Sequence, residues 1–202
     1  MVNKKHLKFI CTRSGCCCAD KNTIVNVTYQ DILRIINGLD LNMNEILEVI
    51  GFYIFDQTDY ISNQSRMVIS PIQTEKGLAY IGLIKNPEGI CFFYDGVNKK
   101  CSIYDLRPMF CRTFPFSFRY ENREELIISY TEKAKKYCPG IRSEASVIDY
   151  DYWTNLGKKV LEDLNKNQIF IETWNKKVNS DKISPSVKIF INTILTLDEN
   201  EN

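Results

Sequence analysis

The spacing of apolar residues changes twice along this chain, and each change marks a change of structure. In Thr28-Tyr29-Gln30-Asp31 a hydroxyl residue precedes a carboxylate by three positions, as in a capping box. Ile32, Leu33, Ile35 and Ile36 follow before Gly38, which predicts a helix over 29–37. A second helix over 43–50 begins after Asn42, with Glu45 three residues on, and stops at Gly51. The pair forms an N-terminal helical hairpin. From about 66 to 131 the pattern is that of strands: "RMVIS" (66–70), "LAYIGLI" (78–84), "ICFFY" (90–94), "FSFRY" (116–120) and "ELIISY" (125–130). Pro71, Asn86-Pro87, Asp95-Gly96 and Glu121-Asn122 punctuate them. Beyond Gly140 the helical period returns at Trp153, Leu156, Val160 and Leu164, and again at Phe170, Trp174 and Val178. Asn165 to Asn167 are expected to break or bend that stretch, and Ser184-Pro185 to open a last helix.

These elements predict an α+β fold with a small, mainly antiparallel sheet, cysteine-bearing loops and C-terminal helices. Residues 1–145 are expected to form the cysteine-cluster domain, with 146–202 as a helical extension packed on it. The sheet should be interrupted between 101 and 113 by a loop or short helix.

Charge narrows the function classes. Of 202 residues, 26 are basic and 25 acidic, so no field favours nucleic acid. No window approaches the roughly 18 consecutive apolar residues of a membrane span. The basic opening "MVNKKHLKFICTRSG" lacks the apolar run and small-residue cleavage site of a secretory signal. A cytoplasmic location is expected, where thiols stay reduced and clustered cysteines bind metal more often than they pair.

Eight cysteines then dominate the picture. They fall into four groups: Cys11 with Cys16, Cys17 and Cys18; Cys91; Cys101 with Cys111; and Cys138. The fold must bring the first group to the others across residues 19–90. Thiolates are soft ligands that select zinc, copper(I) or iron–sulfur clusters over magnesium or calcium. Neither a paired-histidine zinc finger nor a ferredoxin run is present, and the single histidine, His6, reads as a solvated residue. One zinc ion or one cubane cluster takes four thiolates, so eight exceed a single centre. Successive side chains point different ways, so Cys17 and Cys18 suit two centres, or one centre and the core. Cys91 opens a strand-like run and reads equally as a ligand or as a buried, inert thiol. Cations near the cysteines would lower thiol pKa values. Lys99, Lys100, Lys135 and Lys136 read as residues of solvated turns. Arg107 and Arg112, embedded among apolar residues, read as functional and cofactor-binding.

"FICTRSGCCC", "ICFFYDGVNKKCSIYDLRPMFCRTFPF" and "KYCPG" resemble the YkgJ-type cysteine-cluster family, described as a zinc- or iron-chelating domain. Flagellin lysine N-methylase is similar to the same family. The family pattern runs approximately F-x-C-x-x-C-G-x-C-C, C-x-F-L, C-x-I-Y-x-x-R-P-x-x-C-R-x-F-P-F and C-x-G, and the likeness covers about residues 9–140. Cys101, Ile103, Tyr104, Arg107, Pro108, Cys111, Arg112, Phe114, Pro115 and Phe116 fall in register. The resemblance implies metal ligation by Cys11, Cys17, Cys18, Cys91, Cys101, Cys111 and Cys138. Ser14 stands where the family has its second cysteine, and Cys16 is expected to replace the missing thiol.

Three functions are compatible with these residues. The first is an iron–sulfur protein, of 4Fe-4S type, with a redox or catalytic role. The methylase likeness adds protein lysine methylation with S-adenosylmethionine by analogy alone, since no glycine-rich strand–turn–helix motif is present. The second is a non-catalytic zinc module whose C-terminal helices dock an unknown protein partner. The third, a disulfide-stapled protein, conflicts with the missing secretory signal.

Overall fold

A computed structural model describes residues 6–55, 67–122 and 124–201. Helix α1 (Tyr29–Leu39) starts with the capping box: the Thr28 side chain accepts the Asp31 N–H, and the Asp31 carboxylate accepts the Thr28 N–H. Its apolar face, Ile32, Ile35 and Ile36, is buried. Helix α2 (Met43–Val49) is capped in the same way by Asn42 and Glu45. It ends one residue before the expected boundary, because Ile50 turns to extended backbone and leads directly into strand β1 (Ile50–Tyr53). The chain therefore passes through Gly51 as strand, an element that the helix-stop reading missed.

Strands β2 (Ile72–Thr74) and β3 (Gly77–Leu83) complete an antiparallel sheet of order β1-β3-β2, with Phe52 opposite Ile81 and Ile72 opposite Ala79. Two further hairpins stand apart: β4 (Tyr94–Asp95) with β5 (Lys100–Cys101), and β6 (Phe116–Glu121) with β7 (Glu125–Tyr130). The fold is α+β, and its antiparallel strands are divided among three small sheets. Two expected strands are absent. Residues 67–70 of "RMVIS" are irregular, residue 66 lying outside the described residues, and Ile69 is buried without strand pairing. In "ICFFY" Cys91 makes an isolated bridge to Lys85, the chain turns at Phe92 and Phe93, and Tyr94 already belongs to β4. Between β5 and β6 lie a 3₁₀ turn (Tyr104–Leu106) and the short helix α3 (Met109–Thr113), and α4 (Glu132–Tyr137) follows β7.

The long helix α5 (Tyr150–Asn179) is continuous through Asn165–Asn167, contrary to the expected break. Asn167 is buried, and its Oδ1 accepts the N–H of Tyr29 at 2.9 Å. That N–H begins α1 and has no partner within its own helix. The asparagine is thus a tertiary cap for another helix rather than a breaker of its own. Trp174, about two turns beyond, packs in the core and donates Nε1–H to the Gln73 carbonyl at 2.9 Å. Ile171, Trp174 and residues Phe190, Ile191 and Ile194 of α6 (Val187–Glu201) share one core with α1, α2 and β1–β3. A second cluster, around Leu7, Phe116 and Ile148, packs Phe9 and Trp153 beneath the β6–β7 hairpin. Asn167→Ala is expected to cost about 1–3 kcal/mol, the desolvation of an abandoned backbone donor. Thermal denaturation checks it; an unchanged midpoint would show that the cap does not matter.

Candidate metal centre

The N-terminal cysteines sit in a tight turn. The Gly15 carbonyl accepts the N–H groups of Cys18 and Ala19, both at 2.9 Å. Gly15 has φ +74°, in the left-handed region, and a Cβ there would overlap the hydroxyl of Tyr94. Glycine is therefore required twice, by conformation and by close approach. Gly15→Ala should destabilise by about 1–3 kcal/mol. Its thermal midpoint should fall by about 2–4 °C per kcal/mol for a chain of this size, and a wild-type midpoint would refute the requirement.

Backbone hydrogen bonds join this turn to distant cysteines. The Cys91 N–H donates to the Cys18 carbonyl at 2.9 Å. Cys91 is held there by a loop in which Asn86 pairs with Ile90: the Asn86 N–H donates to the Ile90 carbonyl at 2.8 Å, and its Oδ1 accepts the Ile90 N–H at 2.9 Å. Cys101 lies opposite Tyr94 in the β4–β5 hairpin. Cys111 rides on α3, whose first N–H, that of Met109, donates to Asp31 Oδ1 at 2.9 Å. The same oxygen accepts from Arg34, so one buried carboxylate of α1 joins its own cap, an arginine and the helix bearing Cys111. Cys138 closes α4, donating its N–H to Ala134, and the next loop receives the Ile10 N–H on Gly140, which brings the Cys11 segment alongside.

Cys17, Cys18, Cys91, Cys101 and Cys111 line one cavity of about 540 Å³. Cys11, Cys16 and Cys138 are not on its wall; burial pushes the Cys138 thiol up, and the Cys16 and Cys17 thiols act on it in the same direction. All eight are free thiols, and Cys17 and Cys18 have their sulfurs 3.9 Å apart. Within that pair the hydrogen bond from Cys18 favours a Cys17 thiolate, helped by Arg107, and brings its pKa down to about 7. The same bond, with burial and the Cys17 charge, pushes Cys18 up. Burial raises the thiol pKa values of Cys91, Cys101 and Cys111, the last well above its ordinary value. Among the described residues no three His, Cys, Asp or Glu side chains already stand at ligating distance from a common point. The donor set nevertheless suits a soft metal: it is entirely sulfur, and it is gathered from four segments on one wall.

The predicted arginines diverge. Arg107 lines the cavity, lies over Tyr104 with its guanidinium carbon 3.7 Å from the ring centroid, and lowers both Cys17 and Cys101. Arg112 is off the cavity wall. Burial and then the Arg34 charge lower its pKa, against Asp31, Asp163 and Tyr152, which raise it. Cys111 and Arg112 are successive on a helix and so point about 100° apart; Cys111 is on the cavity wall and Arg112 is not. Ser14 Oγ accepts the Cys16 N–H at 3.5 Å, so the residue standing for the family's second cysteine braces the turn from an exposed position. Sequence reasoning missed Asp31 as an organiser of the site, although its capping-box role was visible. Nothing local signals that a helix-capping carboxylate also holds a residue 78 positions away.

The model of the CxxCxxCC family, with the description "Putative zinc- or iron-chelating domain", matches residues 10–139. The chain belongs to the CxxCxxCC family. The matched span of this CxxCxxCC domain holds all eight cysteines and ends before α5. The chain is also similar to Uncharacterized protein MJ0661 of Methanocaldococcus jannaschii, 27% identical over 148 residues. The aligned part is 73% of this chain and 65% of that protein, so the chain spans just under two thirds of its relative's length. No solved structure matches the chain. The CxxCxxCC domain is a metal-chelating one by family, and its cysteine-rich cavity is where such chemistry can be housed. Among the described residues no helix is long and apolar enough to cross a membrane.

Proposed function

We propose that the domain carries an iron–sulfur cluster, of 4Fe-4S type, with a redox or catalytic role. The observation that carries this reading is the gathering of five thiols, Cys17, Cys18, Cys91, Cys101 and Cys111, on one cavity. A single tetrahedral ion needs four ligands and little space. The cavity's volume falls instead in the range of about 300–1,000 Å³ usual for bound organic ligands and cofactors. Four of the five thiols would hold the cluster, and it would supply one-electron chemistry. Arg107 stabilises negative charge on Cys17 and Cys101, as an anionic thiolate centre requires. Cys11, Cys16 and Cys138 would be the thiols of a second, outer metal position, with Cys16 standing in for the ligand missing at Ser14.

The zinc reading is kept because the family description names that metal and because Cys18, Cys91 and Cys101 belong to or pack against the main core. In that case the ion would hold the loops together, and the helices α5 and α6 would serve a protein partner. Lysine methylation with S-adenosylmethionine enters neither reading. Every paired strand among the described residues is antiparallel, and none of the glycines follows a strand to open a helix.

Anaerobic purification with elemental analysis and visible spectroscopy decides between them. A brown protein containing iron and acid-labile sulfide, bleached by a strong reductant, is expected. A colourless protein with stoichiometric zinc would replace the first reading by the second. Cys16→Ser is expected to lower metal content; unchanged content would make Cys16 a bystander.

A further inference from the structure

The cavity has a second chemical character that the thiols do not account for. Arg13, Lys99, Lys100 and Arg107 also line it, and among the described residues none of the four makes an ion pair. Two of them converge on one ring: the guanidinium carbons of Arg107 and Arg13 lie 3.7 and 5.2 Å from the Tyr104 centroid. Bringing like charges together without a carboxylate is unfavourable unless an anion joins them. Asp95, opposite Lys100 in the β4–β5 hairpin, is already engaged. Its Oδ1 accepts the N–H groups of Val97 and Asn98 at 2.9 and 3.0 Å, and its Oδ2 accepts from the Asn98 side chain. Asp105, two residues before Arg107, is exposed and makes no ion pair among the described residues.

Arg13, Lys99, Lys100 and Arg107 reach the cavity from three separate segments: the cysteine turn, the β4–β5 hairpin and the residue pair ahead of α3. They share it with apolar and aromatic side chains, among them Phe93, Phe110 and Phe114.

We propose that the cavity is also a binding site for a small organic anion, whose acidic group Arg13, Lys99, Lys100 and Arg107 hold and whose apolar body lies among Phe93, Phe110 and Phe114. The site shares its cavity with the proposed centre and does not depend on which metal the thiols take. The β4–β5 turn supplies the lysines. Lys99 itself has φ +51° and Arg13 has φ +53°, so both positions are set by backbone that asparagine also tolerates.

Calorimetric titration of the full chain, as purified and with its metal content measured, tests this with phenyl phosphate, phenol and inorganic phosphate. Phenyl phosphate is expected to bind about tenfold or more tightly than either fragment, since a charge-assisted hydrogen bond and an apolar contact are each worth at least that much. Raising the salt should weaken it, because the cations are exposed to screening. Lys99→Asn with Lys100→Gln, and separately Arg13→Asn, should each weaken it by about tenfold with metal content unchanged. Equal binding of phenol would reduce the site to an apolar hollow, and equal binding of inorganic phosphate to a charged surface; either overturns the proposal. So would a variant that binds as the wild type does, or one that loses metal together with ligand, which would assign the cations to the thiolate centre. Metal-free wild-type protein that still binds phenyl phosphate would support the anion site while refuting the metal reading above.

Discussion

Cys111→Ser protein is expected to purify with little or no metal. Cys111 is carried on α3 and meets Cys17, Cys18, Cys91 and Cys101 on the same cavity. A serine hydroxyl is a hard ligand that does not ionise at neutral pH and cannot replace a thiolate at a soft metal. The loss should exceed the roughly 10–100-fold in affinity that follows removal of a supporting residue around a metal. Where the metal is structural, its binding is worth on the order of 10 kcal/mol of folding free energy, so the variant should also melt far below the wild type. Elemental analysis and thermal denaturation of Cys111→Ser and Cys111→Ala check both. The alanine variant matters because it removes the ligand without burying a new hydroxyl. Wild-type metal content in either would remove Cys111 from the centre.

Asp31→Asn should be the most damaging substitution outside the cysteines. The carboxylate is 1% exposed and accepts the N–H groups of Thr28 and Met109 as well as the Arg34 guanidinium. An amide can present its oxygen to one side only, and its NH₂ would then face another donor. Breaking a buried ion pair costs about 3–5 kcal/mol. The lower end applies here, because Arg34 keeps 28% side-chain exposure and recovers water. At about 2–4 °C per kcal/mol the midpoint should drop by roughly 6–12 °C. Metal content should fall with it, since Met109 no longer anchors the helix carrying Cys111. Arg34→Met, which leaves the carboxylate to both N–H groups, should keep more of the metal. An Asp31→Asn protein with normal midpoint and normal loading would sink the claim that this residue organises the site.

The elements that the sequence makes legible are those whose signals are chemically local. The capping boxes at Thr28 and Asn42, the strands 116–120 and 125–130 and the helical period after Gly140 all depend on residues a few positions apart. The fold departs from its local signals where a distant partner overrides a local preference. Asn167 reads as a helix breaker because its side chain competes with its own backbone. In the folded chain that side chain is occupied by the Tyr29 N–H, and α5 runs on. Gly51 reads as a helix stop, but Gly82 waits opposite it in β3, so it becomes strand. Lys99 and Lys100 read as residues of a solvated turn, and they are exposed, yet the turn folds back over the cavity.

By itself the sequence determined the donor chemistry: eight thiols and one histidine admit soft metals, and residues 101–116 resemble the family pattern position by position. Which thiols share a wall was decided only in three dimensions. The Cys18 carbonyl had to meet the Cys91 N–H, and Asp31 had to meet Met109, before Cys17, Cys18, Cys91, Cys101 and Cys111 could line one cavity that Arg112 does not. Those contacts are backbone hydrogen bonds and a buried carboxylate, interactions that depend on position far more than on residue type. A linear pattern records the ligands, and only the packed chain records their grouping.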